Sequence, residues 1–306
     1  MVKLNHLIKV IIFLTPFLLL NAHLKQKNIT VESSRSGILR LHEFNSKTFQ
    51  NKRIIRVLLP PDYYEKENKN TRYKVLYMND GQDLFDSKTS LYFSSEWQID
   101  ESIHKLLLQG MMEEPIIVVG IDIPSKKMRP NEYLPWEDEY LQPHFPNTNG
   151  EKYPDFLVSE IMPFIESLYR IKKGPDNTAL GGASYGSLIS LYTAVKKPDI
   201  FGFLLLESPS FYVNNKAILK ESKLFLKWPQ KIYIGVGTNE LGVKDCKQIE
   251  GNLEPVHDVL EFISILKESG MKKEQILLII DECARHSPAA WSKRFPKALM
   301  FWLIKN

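Results

Sequence analysis

Apolar residues recur with two different periods along this chain, and the switches between them mark its elements. Leu39 to Phe44 and Arg53 to Leu59 read as two β-segments around polar Ser46 to Lys52, which predicts a hairpin at one sheet edge. Tyr73 to Met78 reads as a buried strand, and Pro115 to Ile123 is an unbroken apolar run, the mark of a strand covered on both faces. Helical spacing sets in over Trp97 to Gln109, where Ile99, Ile103, Leu106 and Leu107 share a face. It returns over Asp155 to Arg170 through Phe156, Leu157, Ile161, Phe164, Ile165 and Leu168. Beyond residue 177 strands alternate with helices. Strands are predicted at Phe201 to Leu206, Lys231 to Val236 and Gln275 to Ile280. Helices are predicted near Asn215 to Leu226, at Glu254 to Ser269 and at Ala289 to Ile304. Such alternation implies right-handed crossovers. The fold class is therefore α/β, with a mostly parallel central sheet, an antiparallel edge hairpin and helices on both faces.

One stretch breaks the pattern in an informative way. Asn177 to Leu191 carries a short apolar run into Gly182-Ala183-Ser184-Tyr185-Gly186 and passes at once into a helical pattern. That is the strand, sharp turn and helix of a nucleophile elbow, which makes Ser184 a candidate nucleophile. Taken alone the pentapeptide is also an ordinary small-residue turn. A serine hydroxyl needs a base, and the base needs a carboxylate to hold its tautomer. Of seven histidines only His257 and His286 follow Ser184. His257 falls inside a predicted helix, whereas His286 falls just after the last strand, where ligand-facing groups of an open parallel sheet collect. His286 is the predicted base. His257, His104 and His42 read as hydrogen-bonded surface histidines. Glu240 is the first carboxylate after the strand ending at Val236 and is the predicted acid, with Asp245 as its alternative. The oxyanion would be held by the backbone amides of Tyr185 and of Gln82, the latter in Asp80-Gly81-Gln82-Asp83. Read without the elbow, Asp80-Gly81 is only a turn signal.

Composition changes this picture little. The 306 residues are 43% apolar and 25% charged, ordinary globular material. The first 22 residues differ: Lys3 and Lys9 precede the apolar run Val10 to Leu20, with Asn21-Ala22 at the predicted cleavage point, the layout of a signal peptide. An export address to periplasm or exterior follows, the alternative being an uncleaved membrane anchor. No cysteine lies near this run, so a lipoprotein anchor is excluded. Cleavage would take two lysines and no acid from a formal charge of +4 and leave +2, which argues against a nucleic-acid partner. The lysines from 216 to 227 read as solvated helix faces. Cys246 and Cys283 stand either as two buried thiols or as one disulfide joining the loops that carry Glu240 and His286. No cluster of His, Cys and carboxylates has ligand spacing, so no metal or cofactor is implied. The aromatic region Lys126 to Pro154, with Tyr133, Trp136, Tyr140, His144, Phe145 and Tyr153, is long enough to expect a functional or mobile loop, although the same rings could simply pack it.

With these residues assembled, the chain resembles the "Putative esterase" family of α/β hydrolases, which includes siderophore (enterochelin) esterases, feruloyl and acetylxylan esterases and S-formylglutathione hydrolases. The resemblance covers roughly residues 50 to 304. It rests on Leu76 to Gln82, Val118 to Asp122, Arg129 to Pro135, the elbow, Glu207 to Phe211, and Arg285-His286-Ser287 with Trp291. It implies an α/β-hydrolase fold over residues 23–306, following a signal peptide at 1–22. It also implies catalytic roles for Ser184 and His286, and an Asp-Gly-Gln loop beside the oxyanion site. The Arg129 to Pro135 block resembles a loop bordering the active site, so Asp80, Arg129, Tyr133 and Trp136 become candidate substrate-binding residues. An Arg129–Glu132 surface pair reads equally well from the sequence. Two departures from the family pattern stand out. Ser187 replaces a second glycine, predicting slightly looser helix packing, and Pro288 follows the histidine loop. The expected activity is hydrolysis of a siderophore, feruloyl or acetyl-sugar ester through an acyl-enzyme. The alternatives are acyl transfer by the same triad, or a non-catalytic carbohydrate- or siderophore-binding protein.

Overall fold

The computed structural model describes residues 29–30, 37–139, 141–244, 246 and 253–304. The predicted signal peptide, Tyr140 and Asp245 lie outside the described residues. Among the described residues nine strands make one sheet: β1 (Ile29–Thr30), β2 (Ile38–Ser46), β3 (Asn51–Leu59), β4 (Lys74–Asn79), β5 (Ile116–Ile121), β6 (Thr178–Ala183), β7 (Phe203–Glu207), β8 (Lys231–Asn239) and β9 (Ile276–Arg285). They lie in the order β1-β2-β3-β5-β4-β6-β7-β8-β9. The β2–β3 hairpin pairs antiparallel with β5, and every later pair is parallel.

The helices are α1 (Ile99–Leu108), α2 (Met128–Tyr133), α3 (Tyr153–Asp155), α4 (Met162–Leu168), α5 (Tyr185–Lys196), α6 (Val213–Ser222), α7 (Glu254–Glu268) and α8 (Pro288–Leu303). Alternate residues of one strand feed two cores, as a period of two demands. Val75 and Tyr77 of β4 join the core under α5 and α7, where Leu188, Ile189, Phe262 and Leu266 pack. Leu76 and Met78 join the other, under α1 and α8, with Ile103, Phe295 and Leu299.

Three details depart from the sequence reading. The helix expected from Asp155 runs as a π-helical turn over Phe156–Ile161 between α3 and α4. Near α6, Asn214, Asn215 and Lys216 adopt left-handed backbone angles, so the polar helix begins irregularly. β8 and β9 both run past their apolar segments, with a register shift between Gly237 and Asn239. Their extension lifts the residues that follow them above the body of the sheet.

His42 is not a surface residue. It is 5% exposed, its Nε2 lies 2.6 Å from the Tyr169 hydroxyl, and burial lowers its pKa. His257 is exposed on α7 and His104 half-buried on α1. Among the described residues no helix is long and apolar enough to cross a membrane.

Candidate active site

Five loops meet at the carboxyl ends of β4, β6, β7, β8 and β9, the place where an open parallel sheet offers its ligand-binding crevice. Ser184 occupies the turn between β6 and α5 with φ 59° and ψ −126°, a conformation that L-residues adopt at a cost. The surroundings hold it there. Its amide donates to the Glu207 carbonyl of β7 at 3.0 Å. Gly182 permits the tight passage, because a Cβ there would sit 2.8 Å from the Gly186 carbonyl carbon. Ser187, which stands in place of a glycine, does not loosen the elbow. Its buried hydroxyl lies 2.7 Å from both the Gly182 and Glu207 carbonyls and ties the helix start to β7.

His286 follows β9 directly. Its Nδ1 lies 2.6 Å from Glu240 Oε2, a charge-assisted length. Glu240 is 8% exposed, and its other oxygen accepts from the Gly237 amide at 2.6 Å and the Ser208 hydroxyl at 2.8 Å. Burial works against its charge, but His286, the Gly237 amide and Ser208 outweigh that and hold the carboxyl below its ordinary range. Pro288 fits the histidine loop because it opens α8, where a missing N–H costs nothing. Cys246 and Cys283 are joined as a disulfide with Cα atoms 5.4 Å apart, which links the turn after β8 to the strand leading into His286.

Ser184 and His286 line one cavity of about 220 Å³. Among the described residues the Ser184 hydroxyl takes Ser210 Oγ, at 3.3 Å, as its partner, and no Ser184–His286 bond forms. Such contacts often tighten only with substrate present. A larger cavity of about 320 Å³, lined by Lys74, Met111, Met300 and Leu303 among others, contains neither residue.

On the far side of Ser184, Asp80 takes a left-handed conformation and starts a 3-10 turn over Gly81–Asp83. The Asp83 amide closes that turn on the Asp80 carbonyl at 2.9 Å, which leaves the amides of Gly81 and Gln82 outside its bonding. The amides of Tyr185 and Gly186 likewise begin α5 without intrahelical partners. The Gln82 side chain turns inward, its Oε1 accepting from the Ile123 amide at 3.2 Å, and so fixes the loop to the end of β5. Gly81 presses on β5 as well: a Cβ there would lie 2.5 Å from the Gly120 carbonyl carbon. Gly81→Ala is expected to destabilise the fold by about 1–3 kcal/mol, because backbone rather than a flexible side chain must yield. Urea denaturation would measure this, and a midpoint equal to that of the wild type would contradict it.

Arg129 binds Asp80 through two bonds of 2.8 Å and reaches the Ala183 carbonyl at 3.2 Å, which clamps the Asp80 loop to the elbow. Burial disfavours its charge, yet the Asp80 carboxylate more than offsets this and raises its pKa. The local Arg129–Glu132 pair does not form. Glu132 is buried against Arg53 of β3 at 2.7 Å instead, both side chains fully enclosed. Of the four candidate substrate-binding residues, Asp80 and Arg129 line the cavity. Tyr133 does not reach it: the ring is 1% exposed and its hydroxyl accepts from the Asp80 amide at 3.1 Å. Trp136 packs edge-on against Tyr192, with ring centres 5.4 Å apart, outside the cavity. The aromatic walls are Tyr92, Phe93, Trp97 and Trp291. The first three lie in or beside an irregular segment whose only sequence signal is its aromatic content.

The "Putative esterase" family profile matches residues 46–302. The chain is 25% identical over 274 residues to the "Uncharacterized protein YbbA" of Bacillus subtilis (strain 168), covering 88% of this chain and 98% of that one. Among solved structures, siderophore hydrolase EstB from Aspergillus nidulans superposes with a TM-score of 0.68 at 16% identity, covering 91% of this chain and 99% of EstB. The CE1 ferulic acid esterase AmCE1/Fae1A from Anaeromyces mucronatus gives 0.63 at 23%, covering 90% and 95%. A profile spanning most of the chain, and superposition along nearly its whole length on solved structures of this fold, lead to one assignment: this chain belongs to the "Putative esterase" family and is a carboxylic ester hydrolase with the α/β-hydrolase fold.

Proposed function

We propose that the chain is an exported serine esterase in which Ser184, His286 and Glu240 form a catalytic triad. The observation that carries this is the 2.6 Å His286–Glu240 pair at the mouth of the cavity lined by Ser184 in its strained turn. Substrate entering the cavity turns the Ser184 hydroxyl from Ser210 toward His286 Nε2. Ser184 Oγ then attacks the ester carbonyl carbon while His286 takes its proton, and Glu240 holds the imidazolium through Nδ1. The carbonyl oxygen becomes an oxyanion facing the amides of Tyr185 and Gln82. Collapse of the intermediate expels the alkoxide, which receives the proton from His286 and leaves as the alcohol. Water, deprotonated by His286, attacks the acyl-enzyme and releases the carboxylic acid and free Ser184.

The cavity of about 220 Å³ walled by Tyr92, Phe93, Trp97 and Trp291 suits a planar aromatic acyl group better than a long alkyl chain. Feruloyl and dihydroxybenzoyl groups have that shape, the first in keeping with the ferulic acid esterase name of one structural relative. Export is supported by the apolar run of residues 10–20 behind Lys3 and Lys9 and by a disulfide, which persists in oxidising compartments. The test is a panel of feruloyl, dihydroxybenzoyl, acetyl-sugar and long-chain acyl esters, with active-site labelling by a fluorophosphonate. Expected are hydrolysis of the aromatic esters and a single adduct on Ser184. An adduct elsewhere, or a preference for long-chain acyl groups, would overturn the reading.

A further inference from the structure

Glu240 is supported from behind by groups that sequence reasoning gave no role. The indole Nε1–H of Trp291 lies 2.9 Å from Ser208 Oγ, and Ser208 Oγ lies 2.8 Å from Glu240 Oε1. The direction of this chain is forced by chemistry. An indole nitrogen only donates and an ionised carboxylate only accepts, so Ser208 must accept from Trp291 and spend its single proton on Glu240. Ser208 is 4% exposed and has φ 42°, a left-handed conformation that a serine takes only when its environment demands it. It follows β7 directly, and its amide donates to the Gly235 carbonyl at 2.7 Å, so it is pinned to the strand that precedes Glu240. Trp291, at the start of α8, also stands edge-on to the His286 ring with centres 5.3 Å apart, and lies against Trp97 at the same distance. One indole thus contacts the cavity, the base and the bond network of the acid.

We propose that Ser208 and Trp291 are positioning residues for Glu240, and that through Trp291 the wall of the substrate cavity is coupled to the acid–base pair. The inference rests on the triad reading above and adds two residues that act through Glu240 without taking part in bond making. Coupled hydrogen bonds of this kind strengthen one another in a buried site. The other titratable groups about Glu240 are His286 and, behind Ser208, Glu207 of β7, whose carboxyl burial pushes up although it pairs with Arg294 of α8 at 2.6 Å. Ser208→Gly removes no contact of the His286 ring and leaves the Glu207–Arg294 pair in place.

The experiment compares wild type, Ser208→Gly, Trp291→Phe, Glu240→Gln and the Ser208→Gly/Glu240→Gln double variant, with kcat, KM and pH profiles on one aromatic ester. Glycine accepts a φ of 42° more readily than serine, so Ser208→Gly keeps its fold, which its melting temperature will verify. Expected is a roughly tenfold fall in kcat for Ser208→Gly at unchanged KM, with a smaller fall for Trp291→Phe, in line with losing one charge-assisted bond. The acid limb of kcat/KM should move to higher pH in both variants. Removing the Ser208 donor withdraws one of the bonds that hold the Glu240 carboxyl below its ordinary range, so Glu240 keeps its proton to higher pH. In the Glu240→Gln background Ser208→Gly should have almost no further effect, because the group it positions is already gone. If Glu240→Gln collapses kcat while Ser208→Gly and Trp291→Phe keep the wild-type rate and pH profile, the positioning network is refuted and the triad stands. If Glu240→Gln itself is as active as wild type, the triad reading falls and this inference with it.

Discussion

Ser184→Ala is expected to lower kcat on any accepted ester by roughly 10³- to 10⁶-fold while leaving the fold intact. The nucleophile is the one atom of the proposed reaction with no substitute, and what survives its loss is the rate supplied by binding and by the oxyanion amides. The stability side of the same substitution is informative. Ser184 sits at φ 59° and ψ −126°, a strained region worth on the order of 1–3 kcal/mol. Alanine carries a Cβ and inherits that strain, so its melting temperature should match the wild type. Ser184→Gly relieves it, and should be equally inactive yet melt several degrees higher, as expected where a strained residue serves function rather than stability. Steady-state rates with thermal melts of the three proteins check both halves. A Ser184→Ala rate within tenfold of wild type would place the nucleophile elsewhere.

The residues legible in the sequence are those whose position follows from element order alone. Ser184 is set by a strand, a turn and a helix contiguous in the chain, while His286 and Glu240 follow from counting loops after successive strands. The hairpin, the buried run at β5 and the alternation after residue 177 were legible for the same reason, since periodicity is local. What escaped depends on partners far away in the chain. Arg129 had an acid three residues on, yet it binds Asp80, 49 positions away, and Glu132 goes to Arg53 at a distance of 79. Which of two acids an arginine meets is decided by the sheet order that brings β3 and β4 alongside β5. Tyr133 and Trp136 are candidates from a resembling loop, and aromatic residues in a long loop serve either as walls or as packing. Burial decides between these, and the sequence carries no signal for it. The cavity walls at Tyr92 and Phe93 sit where no period exists to place a side chain on a face.

Glu240→Gln is expected to reduce kcat by roughly 10²- to 10⁴-fold, the range seen when a triad acid becomes its amide and the imidazole loses its preferred tautomer. The amide keeps the size of the side chain, so packing against Ser208 and Gly237 is preserved and the defect is electrostatic. The same variant also reports on stability. Glu240 is held below the ordinary carboxylate range in the folded state by His286, the Gly237 amide and Ser208, acting against burial. A carboxyl with a depressed folded-state pKa contributes stability above its unfolded value, near 4.3, and loses that contribution as pH falls through the folded one. Wild type should therefore lose stability relative to Glu240→Gln as the pH is taken from about 5 downward, and keep its full advantage at neutral pH. Urea midpoints of both proteins between pH 3 and 7 measure this directly. Parallel curves would show that Glu240 holds no special charge in the folded state. Converging curves with a collapsed kcat would tie the same carboxylate to both the fold and the reaction.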